Sequence, residues 1–131
     1  MDLRATLQAQ FKHDDFRFTQ KEVIERALAQ KNTLALMPTG AGKSLTYQFV
    51  SHLAEGNELV LVISPLIALM QDQAQKANEF NLDSTYINSS LTAEQKHKRM
   101  QQIAEGRFKL VFVQPFETIA NRRMASRGYR Q

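Results

Sequence analysis

Residues 37–44 carry the side chains whose types and spacing point most directly to chemistry. They read Met-Pro-Thr-Gly-Ala-Gly-Lys-Ser and follow a short apolar run at residues 33–37. Gly40 and Gly42 let the backbone approach an anion closely, because a side chain at either position would fill the space that phosphates need. The pattern predicts a phosphate-binding loop between a buried strand and the N-terminus of a helix.

Two side chains at the end of this loop have distinct expected partners. The Lys43 ammonium is placed to reach the β- and γ-phosphates of a nucleotide, and the Ser44 hydroxyl is placed to ligate Mg²⁺. The strict pattern GxxxxGK(S/T) is missed at its first position, where this sequence has Met37. The predicted nucleotide-binding residues of the loop are Met37, Pro38, Thr39, Gly40, Ala41, Gly42, Lys43 and Ser44.

Hydrophobic spacing predicts the elements that must position this loop. Five consecutive aliphatic residues at 59–63 and the continuous apolar run at 110–113 are typical of strands buried on both faces. Strands that alternate with helices indicate βαβ units, so we predict an α/β fold of the P-loop NTPase class, a parallel sheet flanked by helices. The predicted strands span residues 33–37, 59–63, 84–87 and 110–113, and the predicted helices span residues 20–30, 43–55, 65–80 and 92–105.

The composition is that of one ordinary globular domain. The 131 residues are 43% hydrophobic and 23% charged. The sequence has no cysteine, which excludes disulfide frameworks and thiolate zinc sites, and its three histidines are too scattered to suggest a ligand set. The longest uncharged apolar stretch, residues 59–71, is too short to span a membrane. We therefore expect a cytoplasmic protein, associated with the nucleoid if its source is bacterial.

Positive charge is concentrated in the C-terminal part of the chain. Residues 1–65 contain seven Lys or Arg against seven Asp or Glu, whereas residues 96–131 contain nine against two. This asymmetry favours a polyanionic partner, although a solvated basic face would explain it equally well.

Four segments occur in an order and spacing that resemble those of a known family. They read FRxxQ at residues 16–20, MPTGAGKSxxYQ at 37–48, VISPLIALMQDQ at 62–73 and INSSL at 87–91. Together they resemble the RecQ family of superfamily 2 DNA helicases, over residues 11–116. The resemblance implies a RecA-like fold, ATP and Mg²⁺ as cofactors, Lys43 as a catalytic residue, and ATP-driven 3′ to 5′ movement on DNA in repair or recombination.

The resemblance also implies roles for residues outside the loop. Arg17 looks like the family's nucleotide-contacting arginine, and Gln20 looks like the glutamine that pairs with the adenine edge. The aromatic residue that the family often has four positions before that arginine is His13 here, which offers less stacking surface. The residues that resemble the family's single-stranded DNA contacts are Ser64, Gln71, Gln73, Asn88 and Ser89.

The resemblance finally sets expectations about what the 131 residues contain. No predicted strand runs into an acidic residue that could hold Mg²⁺ and orient water. We expect residues 1–123 to form part of a RecA-like domain, without the DEAH box or the second motor domain, and residues 124–131 to form a loose basic tail. Such a chain would not be active alone. A small kinase, a non-catalytic nucleotide- or DNA-binding module and a nonfunctional truncation are the alternatives.

Overall fold

The computed structural model describes residues 2–37, 42–56, 58–115 and 128–130. The chain divides into two compact units, Met1–Val50 and Ser51–Gln131. Within the described ranges, no helix is long and apolar enough to cross a membrane. The residues predicted to bind nucleotide belong to the first unit, and the predicted DNA contacts belong to the second.

The first unit is helical and has an aromatic core. Phe11 stacks on Phe49 with the ring centroids 5.5 Å apart, and the centroid of Phe16 lies 5.6 Å from that of Phe49. Burial of the Phe11 and Phe49 rings fixes the N-terminal segment against the helix that follows the predicted loop. The elements are α1 (Leu3–Thr6), a π-helical turn that continues it (Leu7–Phe11), α2 (Gln20–Leu28) and the start of α3 (Lys43–His52).

The second unit contains a four-stranded parallel sheet. Its spatial order is β2-β3-β1-β4. The strands are β1 (Val60–Ile63), β2 (Ser84–Ile87), β3 (Leu110–Val113) and β4 (Gly128–Arg130). Ile63, Val113 and Ile87 are the last paired residues of β1, β3 and β2, and they lie side by side. The carboxyl ends of these three strands therefore meet at one end of the sheet.

One face of the sheet packs on α5 (Ala93–Ala104). Ile103 of this helix is 2% exposed and belongs to a core cluster that includes Leu61 and Val111, with Met100 packed beside it. Arg99 covers the outer side of β2, donating a hydrogen bond from Nη1 to the Tyr86 carbonyl at 3.0 Å. Helix α5 thus covers apolar side chains and also protects the side of β2 that no described strand pairs with.

The opposite face packs on α4 (Ile67–Glu79). The Ser84 hydroxyl donates to the Ala74 carbonyl at 3.2 Å. Ser84 pairs with Leu110, which precedes Val111 in β3. Because successive strand residues point to opposite faces, Ser84 and Leu110 face away from the side of the sheet where Val111 packs on α5. Burial on both faces explains why β1 and β3 are almost purely aliphatic.

The predicted α/β fold is confirmed. All four predicted helices form, and so do three of the four predicted strands, with ends displaced by a few residues. The N-terminal helix and its π-helical turn have no counterpart among the predicted elements.

The strand predicted at residues 33–37 does not form, so this prediction is wrong. Residues 31–37 have no regular secondary structure, and Leu34 and Leu36 are each 87% exposed. A strand needs a neighbour that pairs with its backbone, and none of the described strands pairs with this run.

Part of the predicted loose tail is a strand. Gly128 pairs with Leu61 and Arg130 with Ile63, so Gly128–Arg130 extends the sheet beyond β1. Three residues are too few to show periodicity, which is why this strand was not predicted. The other tail residues, 124–127 and 131, lie outside the described ranges.

Candidate functional site

Gln20, the first residue of α2, connects two segments of the predicted nucleotide site. Its side chain is buried. Oε1 accepts a hydrogen bond from the Arg17 backbone N–H at 2.7 Å, and Nε2 donates to the Gly42 carbonyl at 3.0 Å. A buried amide that is bonded at both ends fixes the distance between its partners. The structure therefore brings the 16–20 segment to the end of the 37–44 loop.

Gly42 lies directly against this amide. Its φ is +77°, and a Cβ added at this position would collide with Gln20 Nε2. Both the backbone conformation and the available space require glycine here. The role predicted for Gly42, close approach of the backbone to phosphates, stays a prediction.

The segment before α2 presents a cation and an aromatic ring to solvent. The Arg17 guanidinium carbon lies 5.5 Å from the centroid of the Phe18 ring. Phe18 is 64% exposed and has a φ of +51°, which is uncommon for a bulky residue. His13, at the position where the family often has an aromatic residue, is also exposed.

Lys43 and Ser44 form the start of α3, and both are exposed. The Tyr47 hydroxyl donates to Ser44 Oγ at 3.1 Å, which orients that oxygen. An exposed ammonium and an exposed hydroxyl at a helix N-terminus fit the chemistry of a triphosphate with Mg²⁺. Met37 is half-buried at the other end of the loop. The predicted residues that lie outside the described ranges are Pro38, Thr39, Gly40 and Ala41.

An open hollow of about 390 Å³ lies between α2 and residues 32–36. Val23 and Leu34 give it an apolar part, and Glu22 and Arg26 give it a charged part. The described residues that were predicted to bind nucleotide do not line this hollow.

Three polar residues stand in a row at the carboxyl end of the sheet. Each residue follows the last paired position of one of three adjacent strands: Ser64 follows β1, Gln114 follows β3, and Asn88 follows β2. Parallel α/β sheets bind ligands outside this end. Gln114 was missed by sequence reasoning, although Gln114-Pro115 repeats the polar-then-proline pattern of Ser64-Pro65 after a strand.

The Ser64 and Asn88 side chains both make hydrogen bonds inside their own loops, and Asn88 Nδ2 also donates to Met70 Sδ on α4 at 3.5 Å. Ser64 is fully buried, and its Oγ accepts a hydrogen bond from the Leu66 N–H at 3.1 Å. Asn88 is 2% exposed, and its Oδ1 accepts from the Ser90 N–H at 2.9 Å and from the Ser90 hydroxyl at 2.5 Å. Both side chains shape the ends of strands, and their predicted direct contact with DNA stays a prediction.

Gln71 and Gln73 lie on α4 and differ in exposure. Gln71 is exposed, whereas Gln73 is half-buried. The Oε1 atom of Gln73 is buried and has no hydrogen-bond partner among the described residues. Gln71 is therefore the more accessible of the two predicted DNA contacts on this helix.

The electrostatic surroundings of His52 favour its neutral form. Burial lowers the pKa of His52 below its ordinary value of 6.5, and the positive charge of Lys109 lowers it further. Lys109 is held nearby by a hydrogen bond from Nζ to the Ala54 carbonyl at 3.1 Å. Neither residue was predicted to be functional.

Acidic ligands for a metal are not assembled in the part of the chain that the structure describes. No group of three or more His, Asp or Glu there could hold a metal ion. Ser44 therefore remains the described residue whose predicted role includes Mg²⁺.

Comparison with family models identifies the family of this chain. Residues 17–127 match the model described as DEAD/DEAH box helicase. The chain belongs to the DEAD/DEAH box helicase family. The matched residues include both the loop of the first unit and the sheet of the second.

Curated helicases are similar over most of the chain, which confirms the predicted resemblance to RecQ. The ATP-dependent DNA helicase RecQ of Pasteurella multocida is 41% identical over 109 residues, which are 83% of this chain and 17% of that protein. RecQ of Haemophilus influenzae is 38% identical over 117 residues, 89% of this chain and 19% of that protein. The chain thus spans about a fifth of the length of these relatives.

A solved structure has the same fold. The hypothetical ATP-dependent RNA helicase from Sulfolobus tokodaii superposes with a TM-score of 0.64, covering 88% of this chain and 34% of that one. Its sequence identity is 17%, so the likeness concerns the fold alone.

Proposed function

We propose that the chain is the ATP-binding part of a RecQ-like DNA helicase motor, which moves 3′ to 5′ on single-stranded DNA in repair or recombination. Family membership and the RecQ relatives support this proposal. The observation that carries it is the hydrogen bond from Gln20 to Gly42, because it joins two segments that the motif resemblance assigns to one nucleotide.

ATP with Mg²⁺ is the proposed cofactor of the first unit. The Lys43 ammonium binds the β- and γ-phosphates, and the Ser44 hydroxyl ligates Mg²⁺. Arg17 contacts the nucleotide, and Gln20 pairs with the adenine edge. Since the Gln20 side chain also donates a hydrogen bond to the Gly42 carbonyl, the residue that recognises the base is bonded directly to the phosphate loop. The bound nucleotide supplies the phosphoanhydride whose hydrolysis drives movement in such motors.

Single-stranded DNA is the proposed partner of the second unit. Ser89 and Gln71 are exposed and neutral. Side chains of this kind suit phosphate contacts that fix register without reading sequence. The excess of Lys and Arg in residues 96–131 adds a sequence-independent attraction to the DNA backbone.

Substitution of Lys43 tests the nucleotide site. We expect the wild-type chain to bind a fluorescent ATP analogue and Lys43→Ala to bind it at least tenfold more weakly, because a charged contact to phosphate is lost. Lys98→Ala, an exposed lysine on α5, is the matched control and should bind like wild type. Equal affinities of wild type and Lys43→Ala would reject the proposed site.

Hydrolysis measured on the same samples separates a motor from a binding module. DNA-stimulated turnover that is lost in Lys43→Ala indicates that the chain itself carries catalytic machinery. Nucleotide binding without turnover agrees with a chain that supplies only the ATP-binding part. Salt-sensitive DNA binding without any nucleotide binding favours a DNA-binding module instead.

A further inference from the structure

Gln114 joins β3 to the turn that follows the neighbouring strand. Its Oε1 accepts a hydrogen bond from the Ser89 backbone N–H at 2.8 Å. Its own backbone N–H donates to the Ile87 carbonyl at 3.1 Å, which extends the pairing of β3 with β2 by one residue. Gln114 is half-buried, whereas Ser89 is exposed. The side chain therefore bridges from the sheet to a residue at the surface.

Hydrogen bonds hold the turn at residues 88–91 from within, from α4 through Asn88 and Met70, and from the neighbouring strand. From within, Asn88 Oδ1 accepts from the backbone N–H and hydroxyl of Ser90, and the Leu91 N–H donates to the Asn88 carbonyl at 3.2 Å. From the next strand, Gln114 holds the N–H of Ser89. The bond from Gln114 ties the exposed residue of the turn to β3.

We infer that Gln114 is a positioning residue, which sets the 88–91 turn so that the Ser89 hydroxyl is presented to single-stranded DNA. This inference rests on the proposed function, in which the carboxyl end of the sheet binds DNA. Gln114 is neutral and its Oε1 is bonded to the protein, so it contributes orientation rather than charge. It acts through Ser89.

The expected effect follows from the size of one hydrogen bond. A neutral bond at a partly exposed position corresponds to roughly a two- to tenfold change in an equilibrium constant. Removal of the Gln114 acceptor should therefore weaken DNA binding by about that factor. The dependence of the Kd on salt should not change, because this slope reports the phosphates neutralised by Lys and Arg.

The test compares variants of the full chain with labelled oligo(dT) as the probe. Gln114→Leu removes the acceptor at similar size, and Gln114→Glu keeps an acceptor for the Ser89 N–H. Gln101→Leu, on the exposed side of α5, is the matched control. Hydrogen exchange of the Ser89 amide reports the bond directly. Binding of oligo(dT) at several salt concentrations reports its consequence.

We expect Gln114→Leu to speed exchange of the Ser89 amide and to bind oligo(dT) two- to tenfold more weakly, with an unchanged salt slope. Gln114→Glu should keep the amide protected, and Gln101→Leu should match wild type in both measurements. In a Ser89→Ala background, Gln114→Leu should cause little further loss of affinity, since it acts through Ser89.

Three results would overturn the inference, and they have different meanings. Wild-type affinity in Gln114→Leu despite faster amide exchange rejects the positioning role alone. If Gln114→Leu weakens DNA binding as much in the Ser89→Ala background as it does in wild type, Gln114 acts independently of Ser89. No binding of oligo(dT) by the wild-type chain rejects the DNA-binding surface itself, and with it both the proposed partner and this inference.

Discussion

Gln20 and Gly42 hold each other in place: the Gln20 amide donates to the Gly42 carbonyl at 3.0 Å and occupies the space that a Cβ at Gly42 would fill. The same amide accepts from the Arg17 N–H. A change at either end of this contact should therefore alter the other end.

Gly42→Ala should destabilise the fold by about 2–4 kcal/mol. A positive φ costs an alanine roughly 1–2 kcal/mol, and displacement of Gln20 costs a buried hydrogen bond of about 1–2 kcal/mol more. Gly56→Ala is the matched control, because Gly56 has a φ of +58° but nothing within 4 Å of an added Cβ. Urea denaturation measures the loss of unfolding free energy in both variants. Equal losses in the two variants would contradict the contact between Gly42 and Gln20.

Gln20→Glu should break one of the two Gln20 bonds and keep the other. The carboxylate still accepts from the Arg17 N–H, but it faces the Gly42 carbonyl without a proton to donate. We expect a loss of roughly 1–3 kcal/mol of unfolding free energy at neutral pH, and weaker ATP binding. The deficit should shrink as the pH approaches about 4, where a protonated glutamate can donate. Gln101→Glu on exposed α5 is the control and should show no such recovery.

The elements that were predicted correctly are those whose signals are local. Helix α5 begins after Thr92, and the capping box read from Thr92 and Gln95 is present in the structure. The apolar runs at 59–63 and 110–113 form β1 and β3 because other elements cover both of their faces. In each case the sequence pattern and the tertiary environment agree.

The failures concern interactions that no single segment encodes. Leu34 and Leu36 belong to an apolar run like that of β1, yet both are exposed, because a strand depends on backbone partners from elsewhere in the chain. Strand β4 is defined by its pairing with β1, a distant segment of the chain. Gln114 gains its contact with Ser89 from the alignment of β2 with β3, which spacing along the sequence does not reveal.

The capping box of α5 should contribute measurably to stability. Thr92 Oγ1 accepts from the Gln95 N–H at 3.1 Å, and Gln95 Oε1 accepts from the Thr92 N–H at 2.8 Å. Thr92→Ala should cost about 1 kcal/mol in urea denaturation, and Thr92→Ser should retain most of that stability. Amide exchange in the first turn of α5 should accelerate in the alanine variant. A serine variant as unstable as the alanine variant would argue against the role of the hydroxyl.

His52 should make the stability of the fold depend on pH. Its pKa in the folded chain lies below the ordinary value of 6.5, first because of burial and then because of the charge on Lys109. Between the two pKa values the unfolded chain binds more protons than the folded chain, so stability falls as the pH falls. The contribution is fully present above the ordinary pKa of 6.5 and is lost as the pH drops through the lower value of the folded state.

Replacement of His52 by a residue that does not titrate should remove this part of the pH dependence. We expect the free energy of unfolding of His52→Gln to fall less than that of wild type between about pH 7.5 and pH 5, a range that brackets the ordinary histidine pKa. His97→Gln, on the exposed side of α5, is the matched control and should keep the wild-type slope. Lys109→Met removes the second cause of the lowered pKa, so NMR titration of His52 in that variant should give a higher pKa than in wild type. A wild-type slope in His52→Gln would mean that other groups set the acid sensitivity of this chain.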